Sequence, residues 1–382
     1  MDTIWYGDSY KLGVLGGGQL GRMLIQSAIS YDVRIYSMDD SMSAPCARIA
    51  HSYTKGNIMD YDDVVNFGRD KDVLTVEIEH VNVDALEFLE SQGVKVFPRP
   101  SILRMIQDKG LQKEFYRKNN IPTAPYRLIE NRGELEDHKD FFPAMQKMRK
   151  GGYDGKGVTK IGSPDEIDQG FDTPSVLEKL IDFEKELSVI VARNEQGEIA
   201  TFPLVECEFS PVLNLVEFLF SPAEVSETVE NKARKIAVDL VEKLDFVGLL
   251  AVELFLTDSG DILVNEIAPR THNSGHHTIE CNFTSQFEQH LRAITNQPLG
   301  NTDLRTPGVM VNLLGEPGYN GPVRYDGLDE VMKQRGVYVH VYGKEETKPH
   351  RKMGHVTITH ESLIEAKTIA REIKNTLKVR SR

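Results

Sequence analysis

Glu253 and Glu266 each interrupt an apolar run, LLAVELF at 249–255 and ILVNEI at 262–267. Four turn formers, DSGD at 258–261, separate the runs, which is a hairpin signal. With a four-residue loop, 257 pairs with 262 and 253 falls opposite 266, so both carboxylates leave the same face. Side by side on an apolar hairpin they repel each other unless something cationic lies between them. Magnesium suits the pair, with manganese as a substitute, because it takes a few carboxylates and completes its shell with phosphate oxygens and water. A slip of one residue would separate them. The bland alternative is a glutamate on a solvated face, paired elsewhere.

The stretch GGYDGKG at 151–157 packs four glycines into seven residues. A phosphate-binding P-loop needs Ser or Thr after the lysine and then a helix. Here Lys156 is followed by Gly157, and 158–161 reads as a strand, so the loop is a hairpin tip. Its glycines let backbone approach phosphate closely, and their number suggests a lid that closes on ligand. Lys147, on the strand before the loop, and Lys109, on an upstream helix, are flexible point charges suited to phosphate. A second glycine stretch, GGGQLG at 16–21, fits GxGxxG between a strand and a helix, with Asp39 and Asp40 at the end of the next strand. An anion held at the helix N-terminus and a turn required only for packing explain it equally well. A weaker reading is that the loop helps hold a substrate phosphate.

These residues need a scaffold. Strands at 11–15, 33–37, 73–78 and 94–97 alternate with helices at 20–30, 61–69 and 83–92, which implies a parallel sheet covered on both faces. A single helix is expected over 101–119, capped by Ser101. Strands are expected at 144–148, 158–161, 175–180, 186–192 and 199–204, then a helix at 226–244 before the carboxylate hairpin. From about 306 the chain reads as β-rich and ends in a helix at 362–377.

Composition narrows the partners. The chain has 382 residues, enough for two or three domains. Its 45 Lys and Arg against 58 Asp and Glu give a net charge of -13, which argues against nucleic acid. Cys46, Cys207 and Cys281 are far apart and form no CxxC pair, so a reducing compartment and no zinc motif are expected. No basic-then-apolar leader is visible, and the apolar run at 247–256 contains Glu253 and is too short for a bilayer. A cytoplasmic protein with no membrane partner is expected.

The motifs GGGQLGRM (16–23), TVEIEHV (75–81), IPTAPY (121–126), GGYDGKG, NEIAPRTHNSGHHTIE (265–280), SQFEQHLR (285–292) and KMGHV (352–356) occur in an order that resembles the N5-carboxyaminoimidazole ribonucleotide synthetases. These form the ATPase subunit of phosphoribosylaminoimidazole carboxylase, within the ATP-grasp superfamily. The resemblance covers nearly the full chain, and NEIAPR with HNSGHHTIE is its most specific part. It implies a Rossmann-like pre-ATP-grasp domain at 1–105, an ATP-grasp domain at 106–303 with two subdomains split near 174, and a small β-rich domain at 304–382. It also implies a homodimer. The implied reaction makes carboxyphosphate from ATP and bicarbonate, then carboxylates the exocyclic amine of 5-aminoimidazole ribonucleotide, with release of ADP and phosphate.

For the sites, the resemblance implies Lys109 and Lys147 on the ATP phosphates under Gly152, Tyr153, Asp154, Gly155, Lys156, Gly157 and Val158. Glu178, Lys179, Leu180 and Ile181 meet the adenine, Glu186 the ribose, and Glu253 and Glu266 the magnesium, with Asn265 beside them. Arg270 suits bicarbonate or the intermediate, because its planar fork matches an oxyanion. His272 and Asn273 orient the aminoimidazole, and Tyr153 and Asp154 meet its amine. Gln19 and Glu77 contribute from the first domain, where Glu77 and Glu79 share one face of a strand end. Lys344, Arg351 and Lys352 are basic residues suited to the ribotide phosphate. Arg270, Asp154 and Lys344 carry the catalytic expectation. The pattern is broken at Thr271, where proline is usual, at His80, where asparagine is usual, and around Glu206; Lys109 replaces an arginine. Competing readings are an ATP-grasp carboxylase or ligase with another acceptor such as biotin or a glycinamide ribotide, a nicotinamide-dependent oxidoreductase resting on GxGxxG, and a non-catalytic nucleotide-binding subunit.

Overall fold

The structure is a computed structural model that describes residues 4–152, 157–209 and 216–382. Tyr153, Asp154, Gly155 and Lys156 therefore lie outside the described residues. Leu12–Leu15 and Val73–Val76 are buried at every position, so each strand needs cover on both faces. They sit side by side in a five-stranded parallel sheet, ordered Ser52–Lys55, Ile35–Asp39, Leu12–Leu15, Val73–Val76, Lys95–Phe97. Ser52–Lys55 was not anticipated, because an edge strand with a mostly exposed polar sequence carries no apolar alternation. Strand order reverses between Leu12–Leu15 and Val73–Val76. Open sheets of this kind form their ligand crevice at such a point, beyond the carboxyl ends of the strands. Gly16 and Glu77 stand there.

The helix expected over 101–119 is two helices, Pro100–Ile106 and Lys109–Lys118. Asp108 breaks it. Its backbone is extended, and its carboxylate caps the second helix by accepting from the Gly110 and Leu111 amides at 2.8 and 3.2 Å. The same carboxylate accepts two hydrogen bonds from Arg149, at 2.9 and 2.8 Å.

Two further sheets follow. A four-stranded antiparallel sheet is ordered Tyr126–Ile129, Ser175–Lys179, Ala144–Met148, Val158–Ile161. The larger sheet begins Ile262–Ala268, Gly248–Leu256, Lys185–Arg193, Val205–Phe209, Val216–Ser221 and continues through Gly308–Leu314, Lys352–Thr359 and Val337–Val341. The strand expected at 199–204 ends at Thr201, and Val205–Phe209 and Val216–Ser221 are separate strands. Helix Glu227–Lys243 covers one face with Ala233, Ala237, Leu240 and Val241 against Leu187, Val189, Leu250 and Val252. After helix Leu363–Thr376 a last strand, Lys378–Ser381, pairs with Gly321–Asp326, so the chain does not end in a helix. Among the described residues no helix is long and apolar enough to cross a membrane.

Candidate functional site

Glu253 and Glu266 are opposed, by a route other than the expected one. The hairpin loop holds five residues, closed by Thr257 N–H donating to Asp261 O at 3.0 Å, and Leu256 pairs with Ile262. The ladder therefore runs one residue out of the anticipated register as far as Leu254–Val264. An irregularity at Asn265 then restores Glu253 opposite Glu266. The extra residue bends its strand and re-aims a side chain. Here the side chain is Asn265, whose Oδ1 accepts from Lys147 Nζ at 3.2 Å.

The Glu253 carboxyl is pushed up to about 8, first by burial and then by the charges of Glu266 and Glu186; Lys352 and Arg270 oppose the rise. Burial raises Glu186 to about 7, on the adjacent strand. Among the described residues, His272 lies within ion-pair range of Glu253, its Nε2 3.8 Å from Glu253 Oε1. Burial, then Arg270 and Lys352, lower His272 to about 3, so its ring is neutral. Its Nδ1 accepts the Ser274 amide at 3.4 Å, which assigns the proton to Nε2, toward Glu253. Among the described residues no Lys or Arg nitrogen makes an ion pair with Glu253 or Glu266. A hard oxygen donor set of this kind fits a divalent metal ion.

Lys147 is tied down on its other side. Its Nζ lies 3.0 Å from Glu178 Oε2, while Glu178 Oε1 lies 3.3 Å from Lys113 Nζ. Burial raises the Glu178 carboxyl, but Lys147 and then Lys113 outweigh it and hold the group below its ordinary value. The carboxylate expected at the adenine is thus engaged by two lysines. The amides of Lys179 and Leu180 donate to the carbonyls of Pro125 and Pro143, and the Lys179 ammonium bonds the Phe141 and Phe142 carbonyls. Sequence reasoning missed Lys113. The available signal was its place on the buried stripe Gly110, Lys113, Tyr116 of an otherwise polar helix. Lys109 opens that helix, its amide on Arg149 O at 2.9 Å. Val158 pairs with Lys147 at the root of the glycine loop, and Met148 N–H donates to Gly157 O.

The loop at 16–21 is closed by carboxylates. Glu77 Oε1 accepts the Leu20 amide at 3.1 Å, and a Cβ on Gly18 would stand 2.4 Å from that oxygen. Asp39 accepts the Gly17 amide at 2.8 Å. These side chains fill the positions that a dinucleotide would need, pyrophosphate on the loop and ribose on the acid, so the nicotinamide reading loses its site. Any phosphate on the same loop would also have to displace Glu77. Gln19 begins the helix at the rim, half-buried.

Arg270 Nε donates to Glu79 and its Nη1 to Thr271 O, joining the end of strand Ile262–Ala268 to the first domain. Burial would raise Glu79, but the charge and hydrogen bond of Arg270 take it down to about 2. Both amide atoms of Asn273 are buried without a partner among the described residues, as expected of a group awaiting ligand. Lys344 Nζ donates to Lys352 O at 2.7 Å, and the Lys352 charge acts on both Glu253 and His272. Arg351 turns to Glu346 O instead, at 2.7 Å.

Comparison with known proteins identifies the family. Residues 9–107 match the ribonucleotide synthetase preATP-grasp domain, 114–287 the ATP-grasp domain, and 308–368 the phosphoribosylaminoimidazole carboxylase C-terminal domain. The chain is 38% identical over 354 residues to N5-carboxyaminoimidazole ribonucleotide synthase of Bacillus subtilis, covering 91% of this chain and 90% of that protein. The chain belongs to the N5-carboxyaminoimidazole ribonucleotide synthases. It is thus an ATP-dependent ligase of purine biosynthesis with the ATP-grasp fold. The crystal structure of the synthetase from Thermotoga maritima superposes with a TM-score of 0.91 at 42% identity, covering 98% of this chain and all (100%) of that one. A solved structure of the synthase from Aspergillus clavatus, in complex with ADP and 5-aminoimidazole ribonucleotide, gives 0.89 at 33% identity, covering 97% of this chain and 99% of that one. The chloroplastic phosphoribosylaminoimidazole carboxylase of Vigna aconitifolia is 41% identical over 92% of this chain, which spans 64% of that longer protein.

Proposed function

We propose that the synthase reaction, ATP- and bicarbonate-dependent carboxylation of 5-aminoimidazole ribonucleotide, is carried out where Glu253, Glu266, Lys147, Arg270 and His272 converge. The observation that carries this reading is the opposed carboxylate pair, restored by the bulge at Asn265 and lacking an ion-pair partner among the described residues. Glu253 and Glu266 would hold magnesium, whose charge at this place neutralises the triphosphate during phosphoryl transfer. Lys147, steadied by Asn265 and Glu178, meets the phosphates, with Lys109 as a second cation. Arg270 keeps donors beyond those given to Glu79 and Thr271, enough to hold an oxyanion of bicarbonate or carboxyphosphate. Neutral His272 and the unpartnered amide of Asn273 orient the aminoimidazole, and Lys352 with Lys344 receives the ribotide phosphate. A carboxyphosphate must be kept from water, a task suited to the loop at 151–157.

The division at 1–105, 106–303 and 304–382, a homodimer and a cytoplasmic setting complete the proposal, on the strength of the family resemblance. ADP release that needs both the ribotide and bicarbonate supports the reaction. Glu266→Gln is expected to abolish it, and near-normal turnover in that variant would defeat the metal assignment.

A further inference from the structure

Lys113 has a role that a packing lysine does not need. Its side chain is 2 % exposed, and a buried ammonium survives only with strong partners. It has two. One is Glu178 Oε1 at 3.3 Å; the other is Thr123 Oγ1 at 2.5 Å. The Thr123 hydroxyl in turn donates to Val264 O at 2.8 Å, and Val264 N–H donates to Pro122 O at 2.8 Å. Val264 directly precedes the bulge residue Asn265, which accepts from Lys147. Lys147 returns to Glu178. The contacts close a ring that runs through helix Lys109–Lys118, strand Ser175–Lys179, strand Ala144–Met148 and the carboxylate hairpin.

The ring holds two ammonium groups and one carboxylate, so it carries one net positive charge. We propose that Lys113 is a positioning residue that shares the Glu178 charge and pins the 122–124 segment to the hairpin, leaving Lys147 cationic toward the nucleotide phosphates. This rests on the reading that Lys147 meets those phosphates. Without Lys113, Glu178 has Lys147 alone; the two neutralise each other and the phosphates lose one unit of attraction.

Lys113→Met should therefore raise the KM for ATP and the Kd for ADP about tenfold, the weight of one charge-assisted contact, and leave the KM for the ribotide within about twofold. The double variant Lys113→Met/Glu178→Gln restores the net charge and should recover most of the nucleotide affinity. Damage to packing alone would not be repaired by a second change that removes a charge. An unchanged KM for ATP in Lys113→Met, or a double variant as impaired as the single one, overturns the proposal. Should Lys113→Met fail to fold, Thr123→Val cuts the same ring with little change in volume. It should raise the KM for ATP severalfold, and a wild-type value would overturn the proposal equally. Lys147→Met tests the underlying reading separately: undiminished ADP affinity there removes Lys147 from the phosphates, whatever Lys113 does.

Discussion

Divalent cation binding at Glu253 and Glu266 should be linked to proton release. In the metal-free protein the Glu253 carboxyl is raised to about 8 by burial and by Glu266 and Glu186. Between its ordinary value of 4.5 and about 8, the folded protein keeps a proton that the unfolded chain has lost. Metal-free stability consequently falls as pH rises through that window. At face value the displacement is worth at most ~5 kcal/mol. Only the ionised carboxylate binds a cation. That fraction is about 0.03 at about pH 6.5 and about 0.8 at about pH 8.5, so the affinity should rise about twenty- to thirtyfold between them. The assay is a titration with manganese alone, followed by water-proton relaxation. Calorimetry at about pH 7 in buffers of different ionisation heat should report the release of about one proton. Glu253→Gln should bind weakly at every pH and lose most of this dependence. Wild-type affinity that stays flat from about pH 6.5 to 8.5, with no proton released, would rule out this linkage.

Lys352→Ala should weaken ribotide binding more than ATP binding in steady-state kinetics; equal effects would count against a phosphate role. Glu79, held at about 2 by Arg270, contributes stability that is complete above its ordinary value of 4.5 and is lost as pH falls toward 2. Glu79→Gln should lower stability at neutral pH by ~2 kcal/mol and flatten acid unfolding below about pH 4.5, followed by urea denaturation at several pH values. Asp108→Ala should cost ~1–2 kcal/mol for the lost helix cap, with a further loss from the stranded Arg149, whereas Asp108→Asn keeps the cap and should recover about half in the same measurement.

The elements legible in the sequence were those whose burial is local. Leu12–Leu15, Val73–Val76 and Gly248–Leu256 announce themselves as apolar runs because both faces are covered. Ser52–Lys55 did not, because its pairing to Ile35–Asp39 depends on backbone alone. Asp108 was hidden inside an apparently continuous helix because Arg149, distant in sequence, makes the break worthwhile. The carboxylate pair was found from a hairpin count one residue in error, and the bulge at Asn265 cancelled the error. Propensity could not reveal that bulge, since it is favoured by what Asn265 touches, Lys147, rather than by the identity of its neighbours. Lys113 was missed for the same reason: a lysine on a polar helix reads as solvated until Glu178 and Thr123 are seen around it.

The charges of the site follow one pattern with one exception. Glu77 takes the Leu20 amide at a helix N-terminus, Glu79 takes Arg270, and Glu178 takes Lys113 and Lys147. Arg270 and the two lysines hold Glu79 and Glu178 below their ordinary values, whereas burial still raises Glu77; ligands must bind by exchanging partners or by using donors left over. Glu253 and Glu266 have no such compensation among the described residues, and Glu186, also raised, adds to their repulsion. Glu253, Glu266 and the raised Glu186 beside them concentrate the uncompensated negative charge where the cation must come from outside. His272 beside them is kept neutral to the same end: an imidazolium there would cancel the deficit and compete with the metal ion, and burial with Arg270 and Lys352 keeps that proton away.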